Sequence, residues 1–159
     1  MAKTLILGLG NSILRDDAAG IEAAKKIFEL IDKTDVEFAQ ASYAGWRLVE
    51  MLSGFERVII IDAMAGGGLK PGECARVERN NIETIHLRAS HGMGLEEALA
   101  LAVKNGQEMP KDISIFAVGV LNPFEFGEGM TEEVAKNIDK IASQIIKEEA
   151  LHARMAPGS

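Results

Sequence analysis

The sequence predicts an α/β protein with three layers, in which helices cover both faces of a mostly parallel, twisted sheet of about five strands, one of them antiparallel. Short apolar segments alternate with helical patterns along the chain, which is typical of such sheets. Residues 58–61 are four consecutive β-branched or apolar residues, Val-Ile-Ile-Ile, and they indicate a central strand buried on both faces. The 159 residues suffice for one domain with a sizeable core.

The first half of the chain contains three predicted parallel strands. Residues 5–7 form a short apolar run, and apolar residues then recur every three or four positions from Ile21, which predicts a helix. A second strand is predicted over 36–40 and a third over 57–62, with a helix over 42–53 between them.

The second half adds an antiparallel strand and one more parallel strand. The connection over 63–72 is too short for the crossover that a parallel return needs, so the strand over 73–79 is predicted to run antiparallel at an edge. We expect one domain over residues 1–149 and a frayed tail over 150–159. The remaining segments are a polar loop over 80–93, a helix over 94–105, a strand over 113–120 and a last helix capped by Thr131.

Composition disfavours several classes of function. The net charge is -7 and the isoelectric point is near 5.0, which disfavours nucleic acids and anionic membrane surfaces as partners. No apolar run reaches the length of a membrane span and no signal-peptide pattern is present, so we expect no membrane insertion and a cytoplasmic location. Cys74 is the only cysteine, which excludes an intrachain disulfide and a multi-cysteine zinc site.

The loop after the first strand has two interpretations. Gly8 and Gly10 could open a dinucleotide-binding fingerprint, but Ile13 stands where that fingerprint requires a third glycine. Two carboxylates, Asp16 and Asp17, also argue against a phosphate at this position. Either aspartate could instead cap the following helix, which would stabilise it by about 1 kcal/mol.

The candidate site consists of Asp17, Asp62 and His91. The two aspartates follow strands predicted to be parallel, so both belong at the carboxyl edge of the sheet, where α/β folds bind ligands. The loop over 80–93 could bring His91 to the same edge, and two carboxylates with one imidazole suit a borderline divalent ion. From spacing alone, a metal site and a coincidence remain equal alternatives. His86 has apolar neighbours and is predicted to be structural.

Four sequence blocks stand in order along nearly the whole chain. They are Gly-Leu-Gly-Asn-Ser-Ile-Leu-Arg-Asp-Asp-Ala-Ala-Gly at 8–20, Val-Ile-Ile-Ile-Asp-Ala at 58–63 with Gly-Leu-Lys-Pro-Gly at 68–72, Ser-His-Gly-Met-Gly-Leu at 90–95, and Ala-Val-Gly-Val-Leu-Asn-Pro at 117–123 with Met-Thr-Glu-Glu-Val at 130–134. Together these blocks resemble the signature of the maturation endopeptidases of nickel-iron hydrogenases. The chain has Ala18 where that family often has glycine, and Asn122 where glutamate is common.

The resemblance implies a function and a set of site residues. Enzymes of this family remove a short C-terminal extension from the hydrogenase large-subunit precursor after nickel has been inserted, and they recognise that nickel. By position, Asp17, Asp62 and His91 match the metal-binding residues and are the expected catalytic residues, while Asp16 matches a neighbouring acidic position. The expected partner is the precursor, which supplies the nickel, other divalent ions are expected to substitute in vitro, and a monomer is favoured.

Two other hypotheses stay open at this point. A non-catalytic metal-sensing or docking module for the large subunit would use the same three ligands, and a nucleotide-binding protein would use the turn at Gly8 and Gly10.

A further expectation concerns the loop over 121–129, which contains Phe124 and Phe126. These side chains either pack inward or form an exposed apolar surface that grips the precursor.

Overall fold

A computed structural model describes residues 3–43, 45–88 and 93–154, and it confirms the predicted three-layer α/β/α architecture. Within these residues the sheet has five strands in the order β2-β1-β3-β5-β4, and β4 is antiparallel to β5 as predicted. The strands are β1 (Thr4–Leu9), β2 (Val36–Ala41), β3 (Arg57–Ala65), β4 (Cys74–Val77) and β5 (Asp112–Val120), and the helices are α1 (Ala19–Leu30), α2 (Gly45–Leu52), α3 (Leu95–Lys104), α4 (Glu132–Ala135) and α5 (Ile138–Glu148).

Each face of the sheet is covered by helices because side chains alternate along the central strands. In β3, Ile59 and Ile61 join the core formed with α1 and α5, whereas Val58 and Ile60 join the core formed with α2 and α3. All four side chains are fully buried. Burying a side chain of this size contributes roughly 1.5–3 kcal/mol, so β3 links the two cores and is the central strand that the sequence predicted.

β3 continues beyond Asp62, although the sequence predicted that the strand ends there. The extra residues, 63–65, pair with β5, whereas the pairing of β3 with β1 stops at Ile61 opposite Gly8. The longer partner strand therefore explains the extension. Asp62 lies just past the last residue paired with β1, which places it beside the segment that follows β1.

The last helical region is divided into α4 and α5 and is not the single helix that was predicted. The side-chain amide of Asn137 donates to the carbonyl of Glu133 at 2.7 Å, and that carbonyl is the acceptor that the backbone N–H of Asn137 would use in a continuous helix. Thr131 occupies the N-cap position of α4 as predicted, but its hydroxyl makes no capping hydrogen bond.

The chain after α5 returns to the amino edge of the sheet. Ala153 forms an isolated bridge with Ile31, and residues 155–159 lie outside the described residues. The division into a domain over 1–149 and a tail over 150–159 therefore stays a prediction. In the part of the chain that the structure describes, none of the helices is both long enough and apolar enough to cross a membrane.

Candidate active site

The segment after β1 is held close to the sheet by backbone contacts. A 3-10 turn over Arg15–Ala18 leads into α1, so helical structure begins earlier than the predicted start near Ile21. A Cβ atom at Gly20 would lie 2.5 Å from the carbonyl oxygen of Ile61 and 2.6 Å from that of Leu9. Only glycine allows α1 to begin this close to β1 and β3. The contact holds the turn and its two aspartates at the carboxyl edge of the sheet.

Asp17 and Asp62 meet on one imidazole ring, that of His86. The Nδ1 atom of His86 lies 2.8 Å from Oδ1 of Asp62, and its Nε2 atom lies 3.3 Å from Oδ2 of Asp17. The backbone N–H of His86 also donates to Oδ2 of Asp62 at 2.7 Å. Asp62 is fully buried and Asp17 is 2% exposed, so these contacts compensate for the loss of water around both carboxylates.

The chain around His86 is held by one hydrogen bond to the sheet, one local turn and one buried neighbour. The N–H of Ile85 donates to the carbonyl of Ala63 in β3 at 2.9 Å, and the N–H of Arg88 donates to the carbonyl of Thr84 at 3.1 Å. Leu87 is buried in the core between the sheet and the helices α2 and α3. Because the chain is held on both sides of His86, its ring is directed to the two carboxylates.

The two aspartates determine the charge of His86. Burial by itself would lower the pKa of His86, but the contacts with Asp17 and Asp62 outweigh burial and raise the pKa to about 10. The ring is therefore an imidazolium at neutral pH, which donates a hydrogen bond from Nδ1 to Asp62 and forms an ion pair with Asp17 through Nε2. Among the described residues, neither aspartate forms an ion pair with a lysine or an arginine, so His86 supplies the nearest positive charge.

One oxygen of Asp17 is still available for a ligand. Its Oδ1 atom is buried and has no hydrogen-bond partner among the described residues. A buried acceptor without a partner costs about 1–3 kcal/mol, and a cation would remove this cost. Within ranges 3–43, 45–88 and 93–154, no three His, Cys, Asp or Glu residues are arranged to hold a metal ion. His91, the predicted third ligand, lies outside these ranges.

Asp16 binds the loop after β5 and does not cap α1. Its carboxylate accepts hydrogen bonds from the backbone N–H groups of Leu121 at 2.8 Å, Asn122 at 2.9 Å and Thr131 at 2.7 Å, and from the Thr131 hydroxyl at 2.9 Å. Burial would raise the pKa of Asp16, but these hydrogen bonds outweigh it and hold the pKa below its usual value. The predicted cap is wrong, because the N-cap position of α1 is Ala18.

The loop over 121–131, called the aromatic loop below, exposes two phenylalanines. Phe124 is 65% exposed and Phe126 is 76% exposed, so the outward arrangement is the one observed. The backbone N–H of Gly127 donates to the carbonyl of Ile13 at 3.1 Å. This bond joins the aromatic loop to the segment between β1 and the 3-10 turn. The aromatic side chains therefore lie on a loop that is tied to the same segment as the two site aspartates.

Sequence reasoning missed His86 as a site residue. Its neighbours Ile85 and Leu87 suggested a structural role, and they do pack against the two cores. The available signal was the position of His86 in the loop over 80–93, which was already expected to reach the carboxyl edge with His91. The same loop carries both histidines, so a path that brings His91 to the aspartates could equally bring His86 there.

Comparison with known sequences supports one family. The family model described as hydrogenase maturation protease matches residues 21–148, a range that includes Asp62 and His91 and begins after Asp17. The hydrogenase 2 maturation protease of Escherichia coli (strain K12) is 27% identical over 150 residues, which cover 91% of this chain and 88% of that protein. A putative hydrogenase maturation protease of Methanocaldococcus jannaschii is 26% identical over 160 residues, with 91% and 94% covered.

Comparison with solved structures agrees with the sequence match. The hydrogenase maturating endopeptidase HybD from E. coli superposes with a TM-score of 0.71 at 21% identity, covering 95% of this chain and 96% of that chain. The [NiFe] hydrogenase maturation protease HybD from Thermococcus kodakarensis gives a TM-score of 0.66 at 26% identity, covering 92% and 98%. These proteins share the fold of this chain, with its mostly parallel sheet and flanking helices.

Proposed function

This chain belongs to the hydrogenase maturation protease family, and we propose that it is an endopeptidase that removes the C-terminal extension from the large-subunit precursor of a nickel-iron hydrogenase. The proposal is supported by the family match over residues 21–148 and by relatives named as maturation proteases. A monomer in the cytoplasm is the corresponding expectation for its state and location.

In this proposal nickel belongs to the substrate and is recognised by Asp17, Asp62 and His91, which are also the proposed catalytic residues. The observation that carries this assignment is the meeting of two buried carboxylates at one edge of the sheet, with Oδ1 of Asp17 lacking a partner among the described residues. Carboxylate and imidazole donors suit a borderline divalent ion and leave positions open for substrate. Such an ion polarises a carbonyl and lowers the pKa of bound water.

The aromatic loop is the proposed contact with the protein part of the precursor. Phe124 and Phe126 together expose large apolar side chains, and exposed aromatic residues are typical of protein-binding surfaces. The loop is joined to the segment that precedes Asp17. Binding the precursor there would hold its nickel centre near the two carboxylates.

The test is processing of a purified precursor. Nickel-loaded and nickel-free precursor are each incubated with the protein, and mass spectrometry follows the loss of the C-terminal extension. We expect a shortened product from the nickel-loaded precursor only, and none with the variant Asp62→Asn or His91→Ala. The matched control is Asp139→Asn, because the Asp139 side chain is 80% exposed on α5 and its ion pair is with Lys26 of α1, which is not a residue of the proposed site.

The same experiment separates the endopeptidase from the non-catalytic docking module. A protein that binds the nickel-loaded precursor without shortening it would be the docking module, and the endopeptidase proposal would then be wrong. Shortening of the nickel-free precursor at the same rate would instead remove nickel from the proposal while leaving the protease activity.

A further inference from the structure

We propose that Asp16 is a positioning residue that fixes the aromatic loop beside Asp17 and Asp62 and so sets the affinity for the precursor. The inference rests on the proposed function above, because it assigns the aromatic loop to precursor binding. Among the described residues, the side chain of Asp16 forms no hydrogen bond or ion pair with His86, and its hydrogen bonds all go to the loop.

The contacts of Asp16 join both ends of the aromatic loop. Leu121 and Asn122 are the first residues after β5, and Thr131 is the residue before α4. One carboxylate therefore holds together the two ends of the segment that carries Phe124 and Phe126. Holding both ends at one point removes most of the conformational freedom of such a segment.

A carboxylate is the side chain that these donors require. Four donors converge on Asp16, three backbone N–H groups and one hydroxyl, and an ionised carboxylate offers about four acceptor sites. An asparagine would place an NH₂ donor against some of these N–H groups, and one or more of them would be left buried without an acceptor. Asp16→Asn is therefore a small change in shape with a large change in hydrogen bonding.

The other contacts between the loop and this segment do not join its two ends. The ion pair between Arg15 and Glu125 spans 3.9 Å, and its side chains are 39% and 57% exposed, so solvent screens it. The N–H of Asp16 donates to the carbonyl of Asn122 at 3.3 Å, which is a long hydrogen bond. The N–H of Gly127 donates to the carbonyl of Ile13 at 3.1 Å and Phe126 forms an isolated bridge with Leu14, and both hold the middle of the loop. The fully buried carboxylate of Asp16 is the attachment that holds both ends.

Because Asp16 and Asp17 are adjacent in the chain, the attachment of the aromatic loop to Asp16 also fixes the position of the loop relative to Asp17. Both residues lie in the 3-10 turn over Arg15–Ala18, so the loop and the carboxylate that faces His86 are held by consecutive residues. The distance between the exposed phenylalanines and the proposed nickel site is then set by a rigid turn. Loss of the attachment should weaken precursor binding and leave the chemistry at the carboxylates in place.

The test compares Asp16→Asn, Thr131→Val and Thr131→Ser with the unmodified protein. Thr131→Val removes the hydroxyl donor but keeps the backbone N–H, and Thr131→Ser keeps both. Amide hydrogen exchange measured by NMR reports directly on Leu121, Asn122 and Thr131. We expect exchange at these amides to be about tenfold or more faster in Asp16→Asn, intermediate in Thr131→Val and restored in Thr131→Ser. The amide of Ile60 in β3 is the internal control for an intact fold.

Processing kinetics and precursor affinity then separate positioning from a purely structural role. KM and the dissociation constant for the nickel-loaded precursor should rise about fivefold or more in Asp16→Asn, with kcat within about twofold. Loss of kcat at unchanged KM, or unchanged exchange at the three amides, would overturn the inference. If Asp16→Asn does not fold, the comparison of Thr131→Val with Thr131→Ser decides the question by the same criteria.

Failure of the inference about Asp16 can be distinguished from failure of the endopeptidase proposal. An unmodified protein that binds the precursor without cutting it refutes the endopeptidase proposal, and the dissociation constants of the variants still test Asp16. An unmodified protein that does not bind the precursor at all refutes both proposals.

Discussion

Replacement of His86 by glutamine should destabilise the isolated protein by about 3 kcal/mol at pH 6. Glutamine has a similar length but cannot be protonated, so the buried carboxylates of Asp17 and Asp62 lose their nearest positive charge. One hydrogen bond between charged groups contributes about 1.5–3 kcal/mol. The contact at 2.8 Å fits that range and the contact at 3.3 Å adds less. The shift of the pKa of His86 from 6.5 to about 10 sets an upper limit of about 5 kcal/mol.

The destabilisation should depend on pH in a defined direction. The pKa of His86 in the folded protein, about 10, is higher than its ordinary value of 6.5, so the folded state binds the proton more tightly. Its stabilising contribution is therefore complete below about pH 6.5 and is lost as the pH rises through about 10. The difference in unfolding free energy between the unmodified protein and His86→Gln should shrink across this window.

Urea denaturation in the presence of a chelator measures the effect, because the chelator removes adventitious metal from the carboxylates. The two proteins are compared at pH 6, 8 and 10. The control is His152→Gln, since the His152 side chain is exposed beyond α5 and changes at such positions are usually within about 0.5 kcal/mol. A loss below about 1 kcal/mol at pH 6, or an equal loss at pH 6 and pH 10, would refute the argument that His86 acts as a counter-charge.

Three further predictions concern other parts of the molecule. Replacing Phe124 and Phe126 with serine should weaken capture of the precursor in a pull-down without changing divalent-ion binding by the isolated protein, and undiminished capture would remove the aromatic loop from the interface. Changing Glu149, which is buried between two arginines at the amino edge, to alanine should lower the unfolding free energy by about 1–3 kcal/mol, because the arginines that lose their partner are partly exposed to solvent, and processing should be retained below the unfolding temperature. Burial, with the Glu148 carboxylate nearby, raises the pKa of Cys74 to about 12, so alkylation by iodoacetamide at pH 8 should be about a hundredfold or more slower in the folded protein than in urea.

The sequence was sufficient for the strand directions and for the central position of β3, because local patterns determine both, whereas the strand order was not predicted. The apolar run over 58–61 has only one suitable place in an α/β sheet, its centre, and the short connection over 63–72 permits only an antiparallel return. The end of β3 was not predictable in the same way. Residues 63–65 are strand because β5 extends alongside them to Val120, and the length of a partner strand is not encoded in the segment itself.

The meeting of Asp17 and Asp62 could be expected from the sequence, since parallel strands end at a common edge. The position of the His86 ring between the two carboxylates could not be expected in the same way. The position of His86 depends on the hydrogen bond from Ile85 to Ala63 and on the burial of Leu87. The first is a contact with β3, and the second is a contact with a core that other parts of the chain form. The assignment of His91 stays a prediction, because this residue lies outside the described residues.

The different contacts of two adjacent aspartates follow from the geometry of the turn that carries them. A 3-10 helix has three residues per turn, so neighbouring side chains point about 120° apart, whereas a capping residue would have to precede the helix. Asp16 and Asp17 in the turn over Arg15–Ala18 therefore face different partners, one the aromatic loop and the other the ring of His86. The partner of Asp16 at Leu121 lies 105 residues further along the chain. A pattern read over a few residues favours the helix cap, because the competing donors are distant along the chain and only folding brings them to the turn.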